Sequence, residues 1–310
     1  MIDISVVTPT YNRAPLLLRV WNSLNNQKVN FEWIVVDDGS SDNTKGVIEG
    51  IKDAHVKYIQ FKENKGVNAA RNAGVNVATG RYIVFLDSDD EFYPGSLTVM
   101  VEIMDKADSI GAAIFATVIA NTGKQQESQL KDGEILNEYD LVCQRKNYEG
   151  AGILVYRREV FTDFHLPEDL RGCEHVFINE ISKKWNFLVI DKPLRIIHYQ
   201  EDNLSSAGSL IKRSYDIARS YERVIKNHEK ILKNEHEVVF YYLIKAIYRY
   251  GIAGSRKDVW RVYKNMIKHS KKISEYFVAT GLLIIGLVGG LKQIEVLRIN
   301  RINKKLFKRM

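Results

Sequence analysis

Through the first 120 residues, short apolar runs alternate with amphipathic stretches. Residues 4–8, 33–36, 56–61 and 82–86 are rich in β-branched and aromatic side chains. Residues 16–24, 44–51 and 68–77, which separate them, read as helices. Strand-length apolar runs alternating with helices of about ten residues predict βαβ units around a parallel sheet covered on both faces. From about residue 112 to 199 the pattern is mixed. Segments 113–119, 152–156, 187–190 and 194–199 look like strands, and 174–185 looks like a helix. Beyond residue 209 the chain reads as helix, in segments 209–227, 235–250 and 257–268. The expected division is an α/β domain over 1–205 and a helical region over 206–310, joined at the LSSAGS loop. No internal repeat is visible.

Charge refines this picture. The chain has 310 residues, 45 Lys+Arg against 38 Asp+Glu, and a net charge of +7. Lys292, Arg298, Arg301, Lys304, Lys305, Lys308 and Arg309 face Glu295 alone, so the last 19 residues carry +6 and the body is nearly neutral. A chain basic all over would point to nucleic acid, which is not an expected partner here. A neutral body with a basic tail points to an anionic membrane surface. The apolar run 276–291, YFVATGLLIIGLVGGL, is shorter than the roughly 20 residues of a spanning helix. In the tail, Ile294, Leu297, Ile302 and Leu306 fall close to one helical stripe, with cations beside it. The expectation is a peripheral or monotopic protein on the cytoplasmic face of the cell membrane. The other reading is a helix that packs on the α/β domain or makes a homodimer through the C-terminal helices. The opening MIDISVVTPTYN lacks a basic segment followed by an apolar core, so no signal peptide is expected. Cys143 and Cys173, the two cysteines, form no CxxC and no disulfide framework.

The chemistry concentrates in polar loops after three strands: TPTYNR, DDGSSDN and DSDDEF. Ligands of open α/β sheets bind at those strand ends. Asp87 and Asp89, spaced i and i+2 after a buried strand, suit one hard cation, which takes one or two protein oxygens and the rest from phosphate and water. The plainer alternative is a solvated acidic turn. Ser41 and Asp42 suit a helix N-cap. Asp37 and Asp38, adjacent like charges at a strand end, are better explained by a ligand: a carboxylate accepts from a base N–H or a ribose hydroxyl. Neither GxxxxGK[ST] nor GxGxxG is present, which leaves kinase and dehydrogenase readings without support.

SVVTPTYNR, VVDDGSSDNT, NKGVNAARNAG and YIVFLDSDD, in this order, resemble the family 2 glycosyltransferases of GT-A fold. The resemblance is close over about the first 100 residues and looser to about 205. It implies a nucleotide-sugar donor, most often a UDP-sugar, and a divalent cation, Mn²⁺ or Mg²⁺. Thr8, Pro9, Tyr11, Arg13, Asn68 and Ser88 fall in its donor-binding motifs. Pro9 and Tyr11 would flank base and ribose, Asp38 would bind the base, Arg71 would lie near base or diphosphate, and Asp87 would touch ribose. Asp89 would hold the metal, with His198 as an added ligand; the alternative is a His198 that is merely hydrogen-bonded while loop 200–206 closes over the donor. Family members often carry Glu-Asp at the start of an acceptor-side helix, the Asp acting as general base. Here Cys173 stands in place of the Glu and Glu174 in place of the Asp. Glu174 is therefore the candidate base, His175 the lesser one, and a Glu favoured by the helix dipole the structural alternative.

The absence of Gln-x-x-Arg-Trp and of following transmembrane helices favours single addition over processive synthesis. The expected acceptor is a glycan or polyprenyl-linked sugar in bacterial surface polysaccharide assembly. The competing readings are a nucleotidyltransferase and a catalytically inactive, membrane-associated nucleotide-sugar-binding module.

Overall fold

Ile4–Thr10 forms the central strand β1, and each of its seven residues is buried. The same holds for β2, Phe31–Asp37. Successive side chains of a strand point to opposite faces, and here the two faces carry separate cores. Val7, Ile34, Val36 and Ile83 belong to one, and Val6, Trp33, Val35 and Val84 to the other. Burial on both faces is why these strands read as unbroken apolar runs. The computed structural model describes residues 1–144, 152–198, 207–269, 280, 281 and 283–285.

β2 pairs in parallel with β1 and with β3 (Val56–Gln60), and β1 pairs in parallel with β4 (Tyr82–Phe85). The sheet continues with β5 (Glu91–Phe92), β6 (Ile110–Ile119), short β7 (Lys124–Gln125) and β8 (Ile135–Leu136), β9 (Ile153–Arg157) and β10 (Asn186–Ile197). Its order is β3-β2-β1-β4-β9-β6-β10-β5. β9 runs antiparallel to β4 and β6, while β10 is parallel to β6. The parallel half thus carries the first three polar loops at one edge. Helices α1 (Ala14–Leu24), α2 (Thr44–Gly50) and α3 (Val67–Val77) follow β1, β2 and β3. α4 (Ser96–Lys106) precedes β6, and α5 (Val160–Asp163) and α6 (Glu174–Ile181) lie between β9 and β10.

Two glycines fix local geometry. Gly39, in DDGSS, has φ +80°, a conformation L side chains rarely adopt. Gly74 of α3 lies so close to β1 that a Cβ there would fall 2.4 Å from Val7 Cγ1 and 3.3 Å from Val36 Cγ2.

Asn43 takes the N-cap position of α2, and Asp42 just before it serves the starts of two helices. Its Oδ1 accepts the Thr44 N–H at 3.1 Å, and its Oδ2 accepts the Ala14 N–H at 3.0 Å. One carboxylate thereby satisfies free donors at the starts of α1 and α2. Asn12, at φ 52°, adds a second link between these loops: it donates its N–H to Ser40 Oγ at 2.9 Å and accepts the Ser41 N–H at 2.8 Å.

At the other end of the strands, buried Glu32 collects the Ser5 hydroxyl at 2.6 Å and the Thr79 N–H at 2.6 Å on Oε1, with Lys57 Nζ 2.6 Å from Oε2. This ties the entry to β4 onto β1 and β2. Burial works against the charge of Glu32, but these donors outweigh it and hold the carboxyl down at about 2.

Three local expectations change. The strands expected at 187–190 and 194–199 are one strand, β10, whose register against β6 shifts around Pro193. A missing N–H is tolerated at such an irregularity. The helix expected over 174–185 ends at Ile181. α4 was not anticipated, although Leu97, Met100, Val101 and Met104 are buried at helical spacing.

The chain divides into two compact units, Met1–Tyr199 and Gln200–Met310. The second contains α7 (Ala207–Lys212), α8 (Ser214–Asn227), α9 (Glu229–Leu232), α10 (His236–Ile252) and α11 (Arg256–His269). Glu222 ties three of them: it accepts the Tyr250 hydroxyl at 2.6 Å and two Arg261 N–H groups at 2.6 and 2.8 Å. Among the described residues no helix is long and apolar enough to cross a membrane. Loop 200–206 and the tail over 292–310 lie outside the described residues, as does all of segment 276–291 except 280, 281 and 283–285.

Candidate active site

The C-terminal ends of β1, β2 and β4 deliver most of the expected residues to one edge of the sheet. From β1, Thr8 is fully buried and its Oγ1 accepts the Trp33 indole N–H at 2.9 Å, which fixes the strand below the loop. Pro9 is also buried, and Tyr11 beyond it is 47% exposed. Arg13, the N-cap residue of α1, reaches across to Asp89 Oδ2 at 3.2 Å.

The two aspartates that end β2 have different surroundings. Asp37 is fully buried and accepts the Tyr58 hydroxyl at 2.6 Å and the Ser40 N–H at 2.8 Å. Asp38 accepts the N–H groups of Lys65 at 2.6 Å and Gly66 at 2.9 Å, the residues that lead into α3. Burial raises the Asp38 carboxyl above the ordinary range and the Asp37 charge adds to this, against those two N–H donors and Arg171. Gly39, Ser40, Gln60, Phe61 and Lys62 line an open cleft of about 350 Å³ next to this pair.

α3 supplies Asn68 and Arg71. Asn68 faces inward and holds the fold together: it is 2% exposed, and its amide donates to the carbonyls of Pro167 at 2.8 Å and Leu170 at 3.1 Å. It anchors the segment that leads to α6. Arg71 is also buried, and its guanidinium forks between two carboxylates. One terminal nitrogen bonds Asp87 Oδ1 at 2.8 Å and the other bonds Glu174 Oε1. The fork rests over the Phe85 ring, 5.3 Å from its centroid. Burial opposes the charge of Arg71, but the two carboxylates outweigh it and hold the group firmly protonated.

The β4–β5 loop gathers negative charge. Asp87 is half-exposed, whereas Ser88, Asp89 and Asp90 are buried. Burial and the neighbouring Asp87 charge raise the Asp89 carboxyl, against Arg13. Burial pushes Asp90 up to about 7, with Arg195 opposing and Asp87 and Asp89 adding to the rise. Asp90 Oδ2 lies 3.4 Å from Arg195 of β10, and its Oδ1 accepts the His198 N–H at 3.3 Å. Hard oxygens crowded until they repel one another are a donor set that suits a divalent cation.

His198 stands just past the end of β10, with Nε2 2.7 Å from Glu91 Oε1. Among the described residues no group of three or more His, Cys, Asp or Glu side chains converges. Cys173 is the N-cap residue of α6 and Glu174 its first residue, half-exposed like Asp87. Sequence reasoning missed Arg19, which donates to the Asp89 carbonyl, and also Glu91, Arg195 and Arg171. Only Arg195 left a signal, a cation inside the apolar run of β10.

The family model described as "Glycosyl transferase family 2" matches residues 5–164. The "GalNAc(5)-diNAcBac-PP-undecaprenol beta-1,3-glucosyltransferase" of Campylobacter jejuni is 28% identical over 305 residues, covering 93% of this chain and 94% of that protein. The "Poly(ribitol-phosphate) beta-N-acetylglucosaminyltransferase TarS" of Staphylococcus aureus is 30% identical over 181 residues, 56% of this chain and 31% of that one. Among solved structures, S. aureus TarS 1–349 in complex with UDP-GlcNAc superposes with a TM-score of 0.69 at 17% identity, covering 94% of this chain and 91% of the other. A mannosyltransferase from Pyrobaculum calidifontis in complex with GDP-Man and Mn²⁺ gives 0.58 at 16% identity, covering 99% and 88%. At these identities the structural likenesses show the fold, GT-A.

Proposed function

The chain belongs to glycosyl transferase family 2 and is a glycosyltransferase, and from that premise we propose that it moves one sugar, with inversion, from a UDP-sugar to a hydroxyl of a glycan or polyprenyl-linked acceptor in bacterial surface polysaccharide assembly. The observation that carries this reading is the shared guanidinium of Arg71, which sets half-exposed Asp87 and half-exposed Glu174 side by side at the strand ends. Asp87 then serves the donor and Glu174 the acceptor. The family assignment removes the ground for a nucleotidyltransferase.

Tyr11 offers an exposed ring to the base and ribose, Pro9 and Thr8 shape the strand beneath it, and the cleft beside Asp38 takes the base. Glu174 accepts the proton of the acceptor hydroxyl as that oxygen attacks the anomeric carbon from the face opposite the diphosphate. The new C–O bond forms as the bond to the diphosphate oxygen breaks, and UDP leaves. Arg13, beside Asp89, lies at the edge where the diphosphate charge develops. Asp89, with His198 as an added ligand, would hold a divalent cation, Mn²⁺ or Mg²⁺, which when bound would supply further positive charge to the leaving group.

The acceptor class is supported by the Campylobacter relative, whose name contains an undecaprenol diphosphate, and by the basic tail of this chain. The same two features support a peripheral place on the cytoplasmic face of the membrane. The test is nucleoside diphosphate release from a panel of UDP- and GDP-sugars, with Mn²⁺ and with chelator. UDP-sugar turnover that requires the cation is expected. Turnover of no member of the panel, or equal turnover in chelator, would overturn the reading.

A further inference from the structure

We propose that Arg71 is the positioning residue of the acceptor base: it holds Glu174 at a set place relative to Asp87 and touches neither substrate itself. This rests on the assignment of Glu174 as base. The Arg71 side chain is 5% exposed, whereas those of Asp87 and Glu174 are 43% and 45% exposed. Substrates arriving from solvent therefore meet the carboxylates, with the guanidinium beneath them. Below it lies an aromatic floor. Phe85 sits under the fork, and its ring packs against Tyr156 and Phe161, with centroids 5.8 and 6.0 Å away. Tyr156 in turn packs against Phe177 of α6 at 5.8 Å. A guanidinium on such a floor needs its counter-ions, and its planar fork fixes both of them in direction.

Asp87 and Glu174 come from segments 87 residues apart in sequence, the end of β4 and the start of α6. Arg71 bonds both through separate nitrogens. Without it the two carboxylates repel each other, and the long side chain of Glu174 is released toward solvent. A base must stand within hydrogen-bond reach of the proton it removes, so a small displacement lowers turnover while leaving nucleotide affinity largely intact.

The experiment is a double-mutant cycle on Arg71→Met and Glu174→Gln. The first readout is UDP release, with water as acceptor and Mn²⁺ present, from whichever of UDP-glucose, UDP-N-acetylglucosamine and UDP-N-acetylgalactosamine the wild type turns over fastest. The second is UDP affinity by calorimetry. Arg71→Met is expected to lower kcat about 100-fold and to change UDP affinity less than about threefold. In the Glu174→Gln background it should cost no more than about another threefold, because a residue acting through Glu174 has nothing left to position. Multiplicative losses would overturn the proposal, as would a tenfold loss of UDP affinity with kcat kept. If Arg71→Met has no cooperative melt, Arg71→Lys replaces it; an ammonium reaches one carboxylate without fixing both, and the same non-additivity is expected. A Glu174→Gln variant as fast as wild type would remove the base assignment and this proposal together. A dead Glu174→Gln whose loss multiplies with that of Arg71 would remove the coupling alone.

Discussion

His198 holds its Nε2 2.7 Å from Glu91 Oε1, a pairing set by the register of β5 on β10, where Glu91 lies opposite Ile196. A carboxylate that orients an imidazole is a common support for a metal ligand. His198→Ala and Glu91→Gln are therefore expected to weaken Mn²⁺ binding about tenfold each, read by titrating Mn²⁺ against UDP-sugar hydrolysis and by the electron paramagnetic resonance of free Mn²⁺. An unchanged affinity in His198→Ala would leave the pair as a tie between strands.

Asp89→Ala should retain less than a tenth of wild-type turnover at saturating Mn²⁺ and keep a cooperative melt, since the lost contact is one ion pair to Arg13. Asp87→Ala should instead act mainly on nucleotide affinity. Turnover by the Asp89 variant above that tenth, measured over a Mn²⁺ series, would show that the cation is held elsewhere.

Glu174→Gln is expected to lose roughly 10²–10⁴-fold in turnover, the usual range for removal of a general base. UDP affinity should stay within about threefold, because a general base acts on the acceptor and not on the nucleotide. Proton NMR of the product should show inverted anomeric configuration; retention would require a different mechanism.

Glu32 predicts an acid limb in stability. Its carboxyl is held at about 2 in the folded protein, against an ordinary value of 4.5. The folded value is the lower one, so its contribution is present above pH 4.5 and is lost as pH falls toward 2. Glu32→Gln should cost about 2 kcal/mol at neutral pH, because the Ser5, Thr79 and Lys57 donors lose a charged acceptor. It should also flatten the dependence of Tm on pH in that window. A variant with the wild-type slope would assign the limb to other carboxylates.

Deletion of residues 276–310 should release the protein from vesicles containing phosphatidylglycerol and lower activity on a polyprenyl-linked acceptor, with UDP binding retained. At roughly 1 kcal/mol per cation near an anionic surface, the +6 tail should make full-length binding strongly salt-dependent. A full-length chain that ignores such vesicles at low salt and elutes as a dimer would favour the homodimer reading instead.

The parallel half of the sheet was legible because β1, β2 and β4 are buried on both faces and so announce themselves as apolar runs. β10 was not, because Asp191, Lys192 and Pro193 interrupt its apolar residues and only pairing with β6 carries it through. The acidic loops could be located from sequence, but their partners could not. The Lys65 and Gly66 N–H groups that occupy Asp38 lie 27 and 28 residues away. Glu174 lies 103 residues from the arginine it meets. Ion pairs across such separations leave no local pattern, so the sequence located the carboxylates without showing which of them share a cation.

The tight approach of Gly74 to Val7 has a consequence for how the NAARNAG signature is inherited. Its last residue touches none of the chemistry; it is the place where a helix is allowed to lie against the central strand. Positions 74 and 7 therefore form one steric unit. A relative that carries alanine at the first should carry a side chain smaller than valine at the second, so the two positions should change together while the acidic loops stay as they are.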